Sequence, residues 1–274
     1  MLNYTLYVAE RAMSTKIHPT AIIAPGAEID DGVEIGPYCI IDGKVKIGSG
    51  TKLKAFVTVH DYVSIGKNCE FYEFDAIGGD PQDHGYKGEV SYVKIGDDNL
   101  FRENVTVSRA TGEGNETVVG NNCFIMEGVH FAHNVKVGNF VTVANKVGLS
   151  GFVEVGDHTV FGGMAGVHQF VRIGSYCMIG GMYRVVKDIP HYVLASGEPL
   201  RLTGLNRVGL ERAGINEETR RKIINFYREL YDKEKRFTDN LNEAVKNKAQ
   251  YILEIQKIIE FYEGSKRGVT FWGV

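Results

Sequence analysis

From Ile17 onward the chain repeats a six-residue unit, and that repeat constrains its fold more than any other feature. Cut every six residues, it reads IHPTAI, IAPGAE, IDDGVE, IGPYCI, IDGKVK, IGSGTK, LKAFVT, VHDYVS, IGKNCE and FYEFDA. An interruption, GGDPQDHGYKGEVSYVK, follows Ile77, and the hexads resume at Ile95 as IGDDNL and FRENVT. A second break follows Val107, and an unbroken run then starts at Val119, from VGNNCF to IGGMYR. The first position is Ile, Leu, Val or Phe, the second is often Gly, and the fifth is usually Val, Ala, Thr or Cys. Such a period predicts a parallel β-helix with three short strands per coil, about 18 residues per turn. The aliphatic first residue and the small fifth one should point into a narrow prism. Glycine at the corner is expected for backbone angles that other residues resist.

The repeat explains why 33 glycines occur beside only six prolines. It also places Cys39, Cys69, Cys123 and Cys177 at position five, as small buried core residues rather than disulfide or zinc partners. The net charge of −3 gives the whole molecule no nucleic-acid footprint. No apolar run approaches the roughly 20 residues of a membrane helix. The opening MLNYTLYVAERAM has no basic start, long apolar core or small-residue cleavage site, so no secretory signal and a cytoplasmic protein are expected. Met13 is a candidate start, because the regular pattern begins just after it.

The reading divides the chain into an N-terminal extension (1–16), a β-helix (17–190) with loop excursions near 78–94 and 108–118, and a C-terminal connector and α-helical domain (191–274). In that last part INEETRRKIINFYRELYDK reads as an amphipathic helix capped by Asn216, with Ile223, Tyr227, Leu230 and Tyr231 on one face. TDNLNEAVKNKAQYILEIQKIIEFYEG reads as a second helix, with Leu241, Val245, Ile252, Ile255, Ile259 and Tyr262 apolar. Residues 201–274 hold 15 Lys and Arg against 11 Asp and Glu, a net of +4, which suits an acidic partner.

GVHFAHNVKVG carries two histidines within the unbroken run. An 18-residue coil stacks His133 under Gly151 and Gln169. It stacks Ala132 under Ser150 and His168, and Asn134 under Phe152 and Phe170. With strands about 4.8 Å apart, His133 and Gln169 share a corner roughly 10 Å apart. A histidine there is a surface turn residue or a base. Zinc is the other thought, but His130 and His133 occupy different hexad positions and His168 lies about two coils away, which fits poorly with Zn–N bonds of about 2.1 Å.

The hexads resemble those of the hexapeptide-repeat acyltransferases, which implies a left-handed triangular helix. HFAHN, GGMAGVHQF, PQDHGYKGE, DIPHYVLASGEPLRLTGLN and LERAGI resemble, in order and spacing, the UDP-N-acetylglucosamine acyltransferases that open lipid A synthesis. That resemblance spans nearly the whole chain. It implies transfer of a 3-hydroxyacyl chain from acyl carrier protein to the glucosamine 3-position, by a homotrimer with clefts between neighbouring β-helices. No cofactor or metal is implied, since the donor carries its own phosphopantetheine. His133 is then the general base and Gly151 the oxyanion donor. Gln82 and Asp83, on a loop long enough to cross toward a neighbouring subunit, meet sugar and acyl chain. His130, His168 and Gln169 line the nucleotide-sugar pocket, and Asn206 and Arg212 receive uridine and phosphate. Gly181 gauges chain length, a glycine leaving the acyl slot open for a long chain. The basic C-terminal domain would receive the acidic carrier protein.

The chain departs from the family pattern at four places. Asn134 replaces an aspartate, Phe152 and Ser108 replace histidines, and the Q-D-L-K-Y loop reads Gln82, Asp83, His84, Gly85, Tyr86. Transfer to a 3-amino sugar nucleotide, giving an amide, is therefore an alternative. A zinc enzyme and a structural scaffold are more distant ones.

Overall fold

The computed structural model describes residues 14–273, so most of the N-terminal extension, including Met13, lies outside the described residues. Among the described residues three sheets of 11, 9 and 8 strands wrap a prism, parallel throughout except for the last strand of the first, most strands being two residues long. Successive coils stay 18 residues apart, as in Lys16↔Glu34 and Glu34↔Lys52. Across the first excursion the spacing widens to 30, and across the second to 24, yet the pairing direction holds. Each excursion is thus whole hexads looped out of an intact lattice.

Positions one and five fill the prism. Val33, Cys39, Phe71, Phe101, Val129 and Phe131 are fully shielded from solvent, and Phe71 stacks on Phe101 at 4.6 Å. The four cysteines are free and buried. The reason for glycine at position two differs from the expectation. Those glycines do not adopt positive φ; they lack room. A Cβ on Gly36 would lie 2.7 Å from the Lys54 carbonyl oxygen, and one on Gly120 2.6 Å from that of Gly138. The left-handed corner belongs to position four, and outside glycine it is filled mainly by aromatic or amide residues such as Tyr38, Phe56 and Asn134. The conformation costs a side chain roughly 1–2 kcal/mol. Stacking offsets part of that: Tyr38, Phe56 and Phe74 form a ladder at 5.1 Å spacing along one corner.

After Pro190 the chain still adds to the first sheet. Val193–Ser196 pairs with Met178–Ile179, and Arg201–Leu205 returns antiparallel to it. Helix α1 (Arg207–Arg212) is followed by α2 (Glu217–Leu230), where Asn216 accepts the Thr219 N–H at 2.8 Å as foreseen. Ile223, Tyr227 and Leu230 are buried. The second expected helix is instead two, α3 (Phe237–Lys246) and α4 (Leu253–Glu263), with a 3-10 turn between. The break lets Tyr251 pack edge-on against Phe226 at 5.4 Å, while Lys248 holds Glu260 and Glu263 from across the turn.

Candidate functional site

The run from Val119 builds one corner of the prism. Strand His130–Phe131 lies between Thr106–Ser108 and Gly148–Leu149, with His130 registered against Thr106 and Gly148. The chain then turns through Ala132, His133 and Asn134 into Lys136–Val137. One coil on, the Phe152 N–H reaches the His133 carbonyl at 3.1 Å, and two coils on, the Phe170 N–H reaches that of Gly151 at 3.0 Å. His133, Gly151 and Gln169 stand in one column, as the period requires.

His133 is buried in this corner, 6% exposed, with Phe152 edge-on to its ring at 5.3 Å. Its Nδ1 lies 2.9 Å from the Asn134 Oδ1. Nε2 faces the cleft, 3.7 Å from the Asp83 carboxylate. That gap exceeds a direct hydrogen bond, leaving Nε2 available. Gly151 is required by contact: a Cβ there would sit 2.4 Å from His133 Cε1 and 2.6 Å from Nε2. Among the described residues its N–H has no protein acceptor, so an amide donor lies open beside the imidazole.

Asp83 reaches the corner on the first excursion. Its Oδ1 accepts the Gly85 N–H at 2.8 Å, a local turn that aims the carboxylate. The loop is tethered by Arg109, whose backbone N–H bonds the Gly79 carbonyl at 2.8 Å. Its guanidinium pairs with Asp80 and donates to the Tyr86 hydroxyl at 2.9 Å. The loop thus brings Asp83 to its own chain's His133.

His130 points outward from its strand, its Nδ1 2.7 Å from Thr106 Oγ1. Burial, and then the neighbouring His133, lower its pKa below the usual imidazole value, which favours the neutral ring. The same outward column continues as Gly148, Gly166 and Arg184. A Cβ on either glycine would meet nothing within 4 Å, so these residues keep a groove empty beside His130. The resulting cleft, about 530 Å³, is lined by Gln82, His130, His133, Gly151, His168 and Gln169 and reaches Arg184. Gly148, Gly166 and Arg184 escaped the sequence reading, although the same 18-residue spacing from His130 would have found them.

Three expected site residues lie elsewhere. Gly181 packs against the coil below, where a Cβ would meet the Gly163 carbonyl oxygen at 2.9 Å; close approach accounts for glycine there within one chain. Asn206 caps α1 by accepting the Gly209 N–H at 3.1 Å and donates to the Tyr176 carbonyl at 2.9 Å. Arg212 is exposed in the last turn of α1. None of the three lines the cleft of its own chain. Of the departures, Asn134 and Phe152 touch His133, and Ser108 is buried in its strand. Among the described residues no three His, Cys, Asp or Glu side chains are grouped to hold a metal ion. No described helix is long and apolar enough to cross a membrane.

Chemically, the corner presents an imidazole nitrogen, a free amide N–H and a carboxylate around one point of an open groove, a set suited to acyl transfer. Comparison with known proteins agrees. The pattern of a family described as UDP N-acetylglucosamine O-acyltransferase, domain 2, matches residues 188–270, and a bacterial transferase hexapeptide pattern matches 116–151. An acyl-(acyl-carrier-protein)–UDP-N-acetylglucosamine O-acyltransferase of Thermodesulfovibrio yellowstonii is 46% identical over 93% of this chain and 98% of its own. One of Chlamydia pneumoniae is 48% identical over 92% of this chain and 91% of its own. The UDP-N-acetylglucosamine O-acyltransferase structure from Moraxella catarrhalis superposes with a TM-score of 0.87 at 40% identity, covering 93% of this chain and 99% of that one.

Proposed function

The chain belongs to the family of acyl-(acyl-carrier-protein)–UDP-N-acetylglucosamine O-acyltransferases, and from that premise we propose how its own corner carries out the transfer. It moves an acyl chain from acyl carrier protein to UDP-N-acetylglucosamine, the opening step of lipid A synthesis. The acceptor hydroxyl enters between His133 and Asp83. As its oxygen attacks the thioester carbonyl, its proton passes to Nε2 of His133. An imidazole positioned with one nitrogen facing the substrate is the usual general base for such a proton transfer. The tetrahedral oxyanion accepts a hydrogen bond from the Gly151 N–H. When the C–S bond breaks, the phosphopantetheine thiolate leaves and takes the proton back from the imidazolium. The observation that carries this reading is the open Nε2 and the unoccupied Gly151 N–H side by side.

His130, His168, Gln169 and Gln82 line the nucleotide-sugar groove in this proposal. Gly181, Asn206 and Arg212 join it from a second copy in a trimer. The exposed ladder of Tyr38, Phe56 and Phe74, beside outward Ile22 and Ile40, supports such association, since a monomer rarely leaves so continuous an apolar strip in water. Arg207, Arg220 and Arg221 line a second cleft of about 300 Å³ together with Glu211 and Glu217, which pair with Arg220 and Arg221; with Arg207 unmatched in that lining, it is the proposed seat of the acidic carrier protein in the cytoplasm. The reported relatives are named O-acyltransferases and none for an amine acceptor, so the ester product is the one proposed.

Mass spectrometry tests it. Hydroxyacyl carrier protein and UDP-N-acetylglucosamine should give the acylated sugar nucleotide, with H133A slower by roughly 10²–10⁴. An H133A rate within a few-fold of wild type would remove His133 as the base.

A further inference from the structure

A general base works only if its reactive nitrogen is unprotonated before substrate arrives, and in a neutral imidazole that depends on the other nitrogen. His133 Nδ1 faces the amide of Asn134, and an amide is ambiguous where a carboxylate is not. Its oxygen would draw a proton onto Nδ1. Its NH₂, turned the other way, would force the proton onto Nε2 and disable the base.

The second excursion settles the ambiguity. Thr111 donates its backbone N–H to Asn134 Oδ1 at 2.9 Å, and its hydroxyl lies 3.0 Å from the same oxygen. Asn134 Nδ2 in turn donates to the Thr111 carbonyl at 3.1 Å. Flipping the amide would set its NH₂ against the Thr111 N–H and its oxygen against the Thr111 carbonyl, turning attractive contacts into repulsive ones. The base of the arrangement is itself held, since the Asn134 N–H donates to the buried Thr117 hydroxyl at 2.9 Å and Asn134 sits at φ 60°. The Thr111 hydroxyl is also 3.4 Å from His133 Nδ1, so it adjoins both partners.

We propose that Thr111 is a positioning residue whose hydroxyl, a second donor to Asn134 Oδ1 beside its own backbone N–H, completes the lock of the Asn134 carbonyl toward His133 Nδ1, keeping the imidazole proton on Nδ1 and Nε2 free to accept the substrate's. The proposal rests on His133 being the base, and it assigns to a residue of the looped-out segment the task of fixing the tautomer. An exposed loop threonine would have no such duty.

The test uses full-length enzyme with ¹⁵N-labelled histidine, the His133 signals being identified by their loss in H133A. Wild type should show neutral His133 with Nδ1 protonated and Nε2 bare. T111V, which keeps the backbone contacts but loses the hydroxyl, should show a share of the Nε2–H form. Its kcat should fall roughly three- to tenfold, the factor of one ordinary hydrogen bond, with KM little changed. T111S should recover most of that rate. A wild-type His133 already carrying its proton on Nε2 would overturn the proposal. So would a T111V enzyme with unchanged tautomer and kcat, or a T111S enzyme as slow as T111V. If H133A kept its turnover while the wild-type tautomer was as stated, the base assignment would fail and the lock would lose its catalytic meaning.

Discussion

Asp75 breaks the rule of the prism. It occupies position five of FYEFDA, where the repeat places small apolar residues, and it is 1% exposed. Oδ1 accepts the Val105 N–H at 2.7 Å, but the buried Oδ2 has no partner. Burial pushes the carboxyl up to about 8, with Glu103 and Glu73 adding to the rise and the Val105 N–H only partly opposing it. At neutral pH the folded chain therefore holds a proton there that the unfolded chain, titrating near 4, has released. Stability contributed by the protonated form is intact below about pH 4 and is lost as pH rises through about 8. Each unit is worth about 1.4 kcal/mol, so four units come to about 5 kcal/mol, levelling off above pH 8. Asp75→Asn removes the titration while keeping an oxygen for Val105, and the amide has nearly the shape of the protonated acid. Wild type and D75N should melt nearly together near pH 4.5, and D75N should lead by roughly 10–20 °C at pH 8, taking 2–4 °C per kcal/mol for a chain of this size. Thermal unfolding of both at matched protein concentration across pH 4.5–8.5 measures this directly, because association affects the two alike. A difference that stays flat with pH, or a D75N less stable at pH 8, would refute the reasoning.

Two further outcomes follow from the glycines of the site. Gly151→Ala puts a methyl where the imidazole stands, 2.4 Å from Cε1, and should lower kcat by about 10²-fold through displacement of His133, read by steady-state kinetics, with a loss of about 1–3 kcal/mol of stability from the overpacked corner. Gly166→Val meets nothing within 4 Å, so stability should stay within about 0.5 kcal/mol while the groove fills. KM for the sugar nucleotide should then rise roughly tenfold or more, and an unchanged KM would place the substrate elsewhere.

What the sequence determined by itself was everything the period carries. Once hexads are counted, adding 18 locates a neighbour, so the column of His133, Gly151 and Gln169 was legible, and so were the buried cysteines and the capped helix behind Asn216. Gly148 and Gly166 belonged to the same arithmetic and needed only to be asked for. The tertiary structure alone decided what the looped-out hexads do. Thr111 meets Asn134 across 23 residues, and Arg109 meets Asp80 across 29, through loop paths that follow no lattice. It also decided why glycine occupies position two, since a φ angle belongs to one residue whereas a shortage of room belongs to two neighbouring coils. A repeat transmits position by counting; a contact between segments that have left the repeat exists only after the chain has folded.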